Sequence, residues 1–169
     1  MNAQPVTLPP HAWFRTAERV AALEAAASAW LGTPYCQSGA IRGSGASCHR
    51  LAGAVLADAG FPIPAVPERG VTLKRAYQTT MIDWLATCGA FVPLALPLAL
   101  PLDALAVGDV LVADLGVGHI GLCLGGVGPQ VLQVLRGQPV HITTFADPRL
   151  QGRLRAAFRP IEREGARNG

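Results

Sequence analysis

After Gly108 the chain changes texture, and that change limits its fold more than any other feature. The segments DVLVADL (109–115), GHIGLCLGG (118–126), QVLQVLRG (130–137) and VHITTF (140–145) are short runs rich in Val, Ile and Leu. Glycine-bearing turns separate them, so they read as an antiparallel meander. The residues before them carry helical patterns instead. An order of helices first and strands second argues for an α+β fold, with helices packed on an antiparallel sheet. The 169 residues are 50% apolar and 15% charged, enough for one domain with its own core and too apolar for a disordered chain.

The helical half can be read in more detail. Residues 16–31, TAERVAALEAAASAWL, place Val20, Leu23, Ala27, Trp30 and Leu31 on one apolar stripe, with Thr16 as a cap. Gly32 and Pro34 end that helix, and a glycine- and serine-rich loop, CQSGAIRGSGAS, follows. A second helix starts after Ser47, a good N-cap, and turns Leu51, Val55 and Leu56 toward a core before Gly60 stops it. FPIPAVPERG is a proline-rich connector, and a third helix is expected over 72–88, closed by Gly89. The repeat PLALPLALPL suggests an extended segment hugging the surface. DPRLQGRL reads as a helical turn begun at Asp147 and Pro148, and RAAFRPIE as a closing strand. No internal boundary interrupts residues 1–169. The expected core runs from about 14 to 162, with a disordered tail over 163–169.

Charge and cysteine usage exclude several classes of function. The net charge is only +3, and six of the fourteen basic residues fall after position 148, where they read as a solvated basic end. No aromatic residues interleave with them, which argues against a nucleic-acid surface. Cys36, Cys48, Cys88 and Cys123 form no CxxC pair, so free thiols are expected. AFVPLALPLALPL is thirteen residues long and broken by prolines 93, 97 and 101. A membrane span needs about 20 apolar residues, so none is expected. MNAQPVTLPPHAWFRT lacks the charge and hydrophobic pattern of a signal peptide, which implies synthesis in the cytoplasm.

Cys48 is the first candidate for chemistry. In the first turn of the second helix, the helix dipole favours a thiolate over a thiol, and backbone N–H groups there suit an oxyanion. A nucleophile so placed needs a base, which can lie far away in sequence. His119 begins a strand directly after a glycine-bearing turn, where a side chain can reach the end of a helix packed on the sheet. On the residues alone, a buried packing thiol stays open for Cys48. So does a zinc shell of His119 and Cys123 with Cys36, Cys48 and His49. In a strand, however, positions 119 and 123 lie about 13 Å apart, too wide for one zinc. His49, turned about 100° from Cys48 around the helix, is expected to be exposed.

The order of these pieces adds a resemblance. AWLGTPYCQSGAIRGSGASCHRLAGAVLADAGFPIP, followed later by VGDVLVADLGVGHIGLCLGG, resembles the NlpC/P60 family of cell-wall cysteine peptidases over roughly residues 20–60 and 104–160. A helix ending in a Gly-x-Pro-Tyr turn, a glycine loop, a cysteine-headed helix, a Gly-Asp strand and a His-x-Gly strand follow in the family's order. The compact length and the AAFRPIE ending look closest to its phage-associated branch. The resemblance implies a papain-like fold, with Cys48 as nucleophile and His119 as general base. It puts the third, polar member of the triad on the next strand, where counting selects Gln133, with His141 one strand further on as the alternative. A glutamine oxygen there would accept the imidazole Nδ1–H and fix its tautomer. Tyr35 matches a tyrosine lining the substrate groove, and Ser47 adjoins the nucleophile as a further substrate-binding candidate.

The implied substrate is a peptidoglycan stem peptide, cut at a γ-D-glutamyl to diamino-acid bond, with no metal or cofactor. Peptidoglycan or muropeptide fragments, and phage-tail components, are the implied partners, in a phage particle or at the cell wall. Where the family reads Asp-Cys-Ser-Gly, this chain reads Ser47-Cys48-His49-Arg50 and lacks the aspartate that helps hold a substrate ammonium group. Two other uses of the same scaffold therefore stand beside the peptidase: an inactive peptidoglycan-binding or tail protein, and an amidase or acyltransferase. Asp109, in the Gly-Asp pair, reads as a cap on the turn into its strand.

Overall fold

The computed structural model of the chain describes residues 9–67, 74–94, 104–125, 130–150 and 152–163. A 3-10 turn (Trp13–Arg15) leads into helix α1 (Ala17–Trp30), whose first turn is capped by Thr16 Oγ1 accepting from the Arg19 N–H at 3.4 Å. Leu23, Ala26, Ala27 and Trp30 form its buried face. Leu31, which the periodicity adds to that face, is instead 45% exposed, because the helix has already ended and the backbone has turned extended there. The Trp30 indole N–H donates to Asp58 Oδ2 at 2.8 Å, tying the end of α1 to the end of the next helix.

The glycine-rich loop holds a small hairpin, β1 (Ala40–Ile41) and β2 (Gly45–Ala46), directly before helix α2 (Cys48–Asp58). Gly60 ends α2 with a φ of 81°. Its N–H donates to the Ala57 carbonyl and that of Phe61 to the Leu56 carbonyl, both at 2.9 Å, the paired bonds of a glycine C-cap. Helix α3 (Lys74–Thr87) lies within the predicted range. The expected extended segment at PLALPLALPL lies mostly outside the described residues; its start belongs to strand β3 (Phe91–Pro93).

Strands β4 (Val110–Asp114), β5 (Gly118–Leu124), β6 (Gln130–Leu135) and β7 (Gln138–Thr144) form the predicted meander, each antiparallel to the next. β8 (Leu154–Pro160) is the closing strand, and it enters the sheet between β3 and β4, giving the order β3-β8-β4-β5-β6-β7. The segment at Asp147–Leu150 is a hydrogen-bonded turn and not a helix. Residues 164–169, most of the expected tail, lie outside the described residues.

Strand alternation divides the core in two. Val110, Val112, Ile120, Leu122, Leu132 and Val134 pack with Leu51, Val55 and Leu56 of α2 and Leu23 and Trp30 of α1. Leu111, Ala113, Cys123 and Val131 face the other way, under Phe145 and Leu150. Asp109 lies at the foot of β4. Its carboxylate accepts the Ala106 N–H at 2.8 Å, the turn cap the sequence predicts, and also both arms of the Arg159 guanidinium, at 2.9 and 2.7 Å. Burial pushes this carboxyl up, and the Arg159 fork and the Ala106 N–H oppose it. The pair fixes β8 against β4 across a separation of 50 residues.

Candidate active site

Cys48 is the first residue of α2 and is half-buried. The loop ahead of it is held in place by its own backbone: Cys36 N–H donates to Ala46 O, Ala46 N–H to Pro34 O and Ser47 N–H to Gly39 O, at 2.9 to 3.1 Å. Tyr35 bridges to Ala46 in the same stretch. Ser47 occupies the N-cap position with extended backbone, but its side chain makes no cap hydrogen bond. Its hydroxyl lies 3.4 Å from His49 Nδ1 instead.

His49 corrects the expectation of an exposed ring. It is 4% exposed and lines an apolar gap with Met81, Trp84, Phe91 and Ile120. A turn of 100° away from Cys48 leads to solvent only where a helix has an open side. Here α2 is packed against α1, β5 and β6, and Gly53 faces Ile63 and Val66 of the connector, so the predicted open side is covered.

His119 is the second residue of β5, a strand in contact with both α2 and α3. Gly118 makes the approach of α3 possible, since a Cβ there would lie 2.7 Å from Gln78 Cβ and 3.1 Å from its Cα. A cavity of about 190 Å³ opens at this end of the sheet. Its walls include Cys48, His119, Tyr35 and Ser47 together with His49 and Arg136. The arrangement therefore brings Cys48 and His119, 71 residues apart in the sequence, to one cavity. Gln37, Val117, Val134, Leu135 and Arg136 complete the wall and went unnoticed in the sequence. For the last three, the signal was available: they follow Gln133 directly on the same strand and its turn.

Gln133 is fully buried and its Oε1 lies 2.8 Å from His119 Nε2. The contact is to Nε2, whereas the sequence reading expects Nδ1. β6 runs beside β5, and its glutamine meets the distal nitrogen of the ring. The Nε2–H therefore donates to Oε1, and Nδ1 keeps its lone pair. His141, the alternative third member, has its Nε2 3.3 Å from Gln133 Nε2.

Burial lowers the pKa of His119 from 6.5 to about 4. The Gln133 hydrogen bond opposes the shift, while charge on His141 and Arg149 adds to it. The ring is therefore neutral at pH 7. Cys123, on the same strand, is 1% exposed with its thiol pushed up to about 12 by burial, an inert packing residue. Among the described residues, no group of three or more His, Cys, Asp or Glu lies close enough to hold a metal ion. No helix among them is long and apolar enough to cross a membrane.

The fold is similar to that of solved structures. A lipoprotein-like protein of the NLP/P60 family from Staphylococcus aureus matches 92% of this chain, with a TM-score of 0.62 and 20% sequence identity. This chain has the NlpC/P60 fold. It spans 45% of the length of the staphylococcal protein. The NlpC/p60 domain of the peptidoglycan hydrolase SagA is also similar, at a TM-score of 0.45 and 20% identity over 84% of this chain and 97% of that domain. No protein-family model and no curated protein matches the sequence.

Proposed function

We propose that this NlpC/P60-fold protein is a cysteine peptidase acting on peptidoglycan stem peptides. One juxtaposition supports the reading. A cysteine at the head of a helix and a neutral histidine, oriented by a buried glutamine, line the same cavity. In this mechanism His119 Nδ1 takes the Cys48 proton as the sulfur attacks the amide carbonyl. Burial disfavours an isolated imidazolium, so the proton moves only as the thiolate charge forms beside the ring. The head of α2 supplies N–H groups and a favourable dipole to the oxyanion.

His119 then returns its proton to the leaving amine, and a thioester remains on Cys48. Water, deprotonated by the same nitrogen, releases the acid and the free thiol. Gln133 holds the ring throughout, and Tyr35 and Ser47 line the groove for substrate. The bond proposed is γ-D-glutamyl to diamino acid, and the nearest relatives proposed are the phage-associated members of the family. The test is mass spectrometry of purified muropeptides after digestion, since one product mass names the bond. Cys48→Ser and His119→Ala should each abolish cleavage with the fold retained. Turnover kept by either variant removes the mechanism, and binding to sacculi without any cleavage by the wild type points to the inactive binder.

A further inference from the structure

The polar residues behind His119 form a hydrogen-bond series whose direction is set at its far end. His141 Nδ1 lies 2.8 Å from the Pro139 carbonyl oxygen. A carbonyl only accepts, so Nδ1 carries the hydrogen and Nε2 is the nitrogen left to accept. Gln133 Nε2, 3.3 Å away, donates to that lone pair. The amide oxygen is thereby turned toward His119, 2.8 Å from its Nε2. His119 must then carry its hydrogen on Nε2, and the nitrogen left basic is Nδ1.

We propose that His141 is a positioning residue for the Cys48–His119 chemistry, selecting through the Gln133 amide which nitrogen of His119 is basic. The proposal rests on the peptidase reading for its effect on turnover, though its effect on the ring does not. Gln133 is completely buried, and its two ends are held by the two imidazoles. With His141 Nε2 in place, a half-turn of the amide would oppose two lone pairs at one end and two hydrogens at the other. Without that acceptor the half-turn costs little. The amide NH2 then faces His119 Nε2, the ring proton moves to Nδ1, and the base is lost.

The experiment reads the tautomer of His119 directly, from the 15N shifts of the full chain labelled at histidine, at neutral pH and without substrate. The wild type should show a protonated Nε2 and a bare Nδ1. In His141→Phe the two nitrogens should give averaged shifts of mixed tautomers, with kcat on muropeptides lowered about two- to tenfold and KM unchanged. His141→Gln, whose amide oxygen falls near the lost Nε2, should restore both. A wild-type His119 protonated at Nδ1 overturns the proposal before any variant is made. So does a phenylalanine variant whose tautomer is unchanged. If the tautomer shifts as expected but the wild type cleaves no muropeptide, the peptidase reading falls and control of the ring by His141 stands.

Discussion

Acidification should destabilise this protein through one identifiable ring. In the folded state His119 has a pKa of about 4, against 6.5 for an ordinary histidine. Between those values the unfolded chain takes up a proton that the folded site refuses. Stability is therefore complete above about pH 6.5 and is lost as the pH falls toward 4. Each pH unit inside the window is worth about 1.4 kcal/mol, so moving from pH 7 to pH 4 removes about 3 kcal/mol through His119 alone. That is a large share of the roughly 5–15 kcal/mol that holds a domain together. The control is His119→Gln, whose amide NH2 can still donate to Gln133 Oε1 but does not titrate. Urea unfolding of both proteins across this pH range isolates the term, because the other titrating groups are common to the two. The wild type should lose about 3 kcal/mol more than the variant. Parallel loss in the two proteins would refute the burial argument.

Two further outcomes are expected. Asp109→Ala leaves the Arg159 guanidinium buried without its carboxylate and should cost about 3–5 kcal/mol in urea unfolding. Adding Arg159→Met should recover much of that loss, and a single-variant cost below about 1 kcal/mol would deny the pair its role in joining β4 to β8. Iodoacetamide at neutral pH should label Cys48 ahead of Cys36 and Cys88, with Cys123 protected until the chain unfolds. Equal labelling of Cys48 and the exposed Cys36, followed by peptide mass spectrometry, would count against an activated thiol.

Much of the scaffold is legible locally. Thr16 and Gly60 are read correctly as helix signals because a cap depends on a few adjacent residues. The four meander strands follow from their composition and glycine turns, since hairpin neighbours pair with the next segment along. The place of β8 is not legible: its pairing with β3 and β4 is a choice between distant edges that no short pattern records. The same divide runs through the site. Strand counting brings Gln133 to the imidazole, but which nitrogen it meets depends on the relative positions of β5 and β6. His49 is misread as exposed because its surroundings come from α3, the connector and the sheet, and none of these is visible from the helix's own period.

The late arrival of β8 has a consequence for how the protein is made. Helices α1 and α2 and the β4–β7 hairpins can form while synthesis continues, but an interior position of the sheet stays vacant until residue 160 has cleared the ribosome. Until then the edges of β3 and β4 are open templates for any other extended strand, the condition under which nascent chains misassemble.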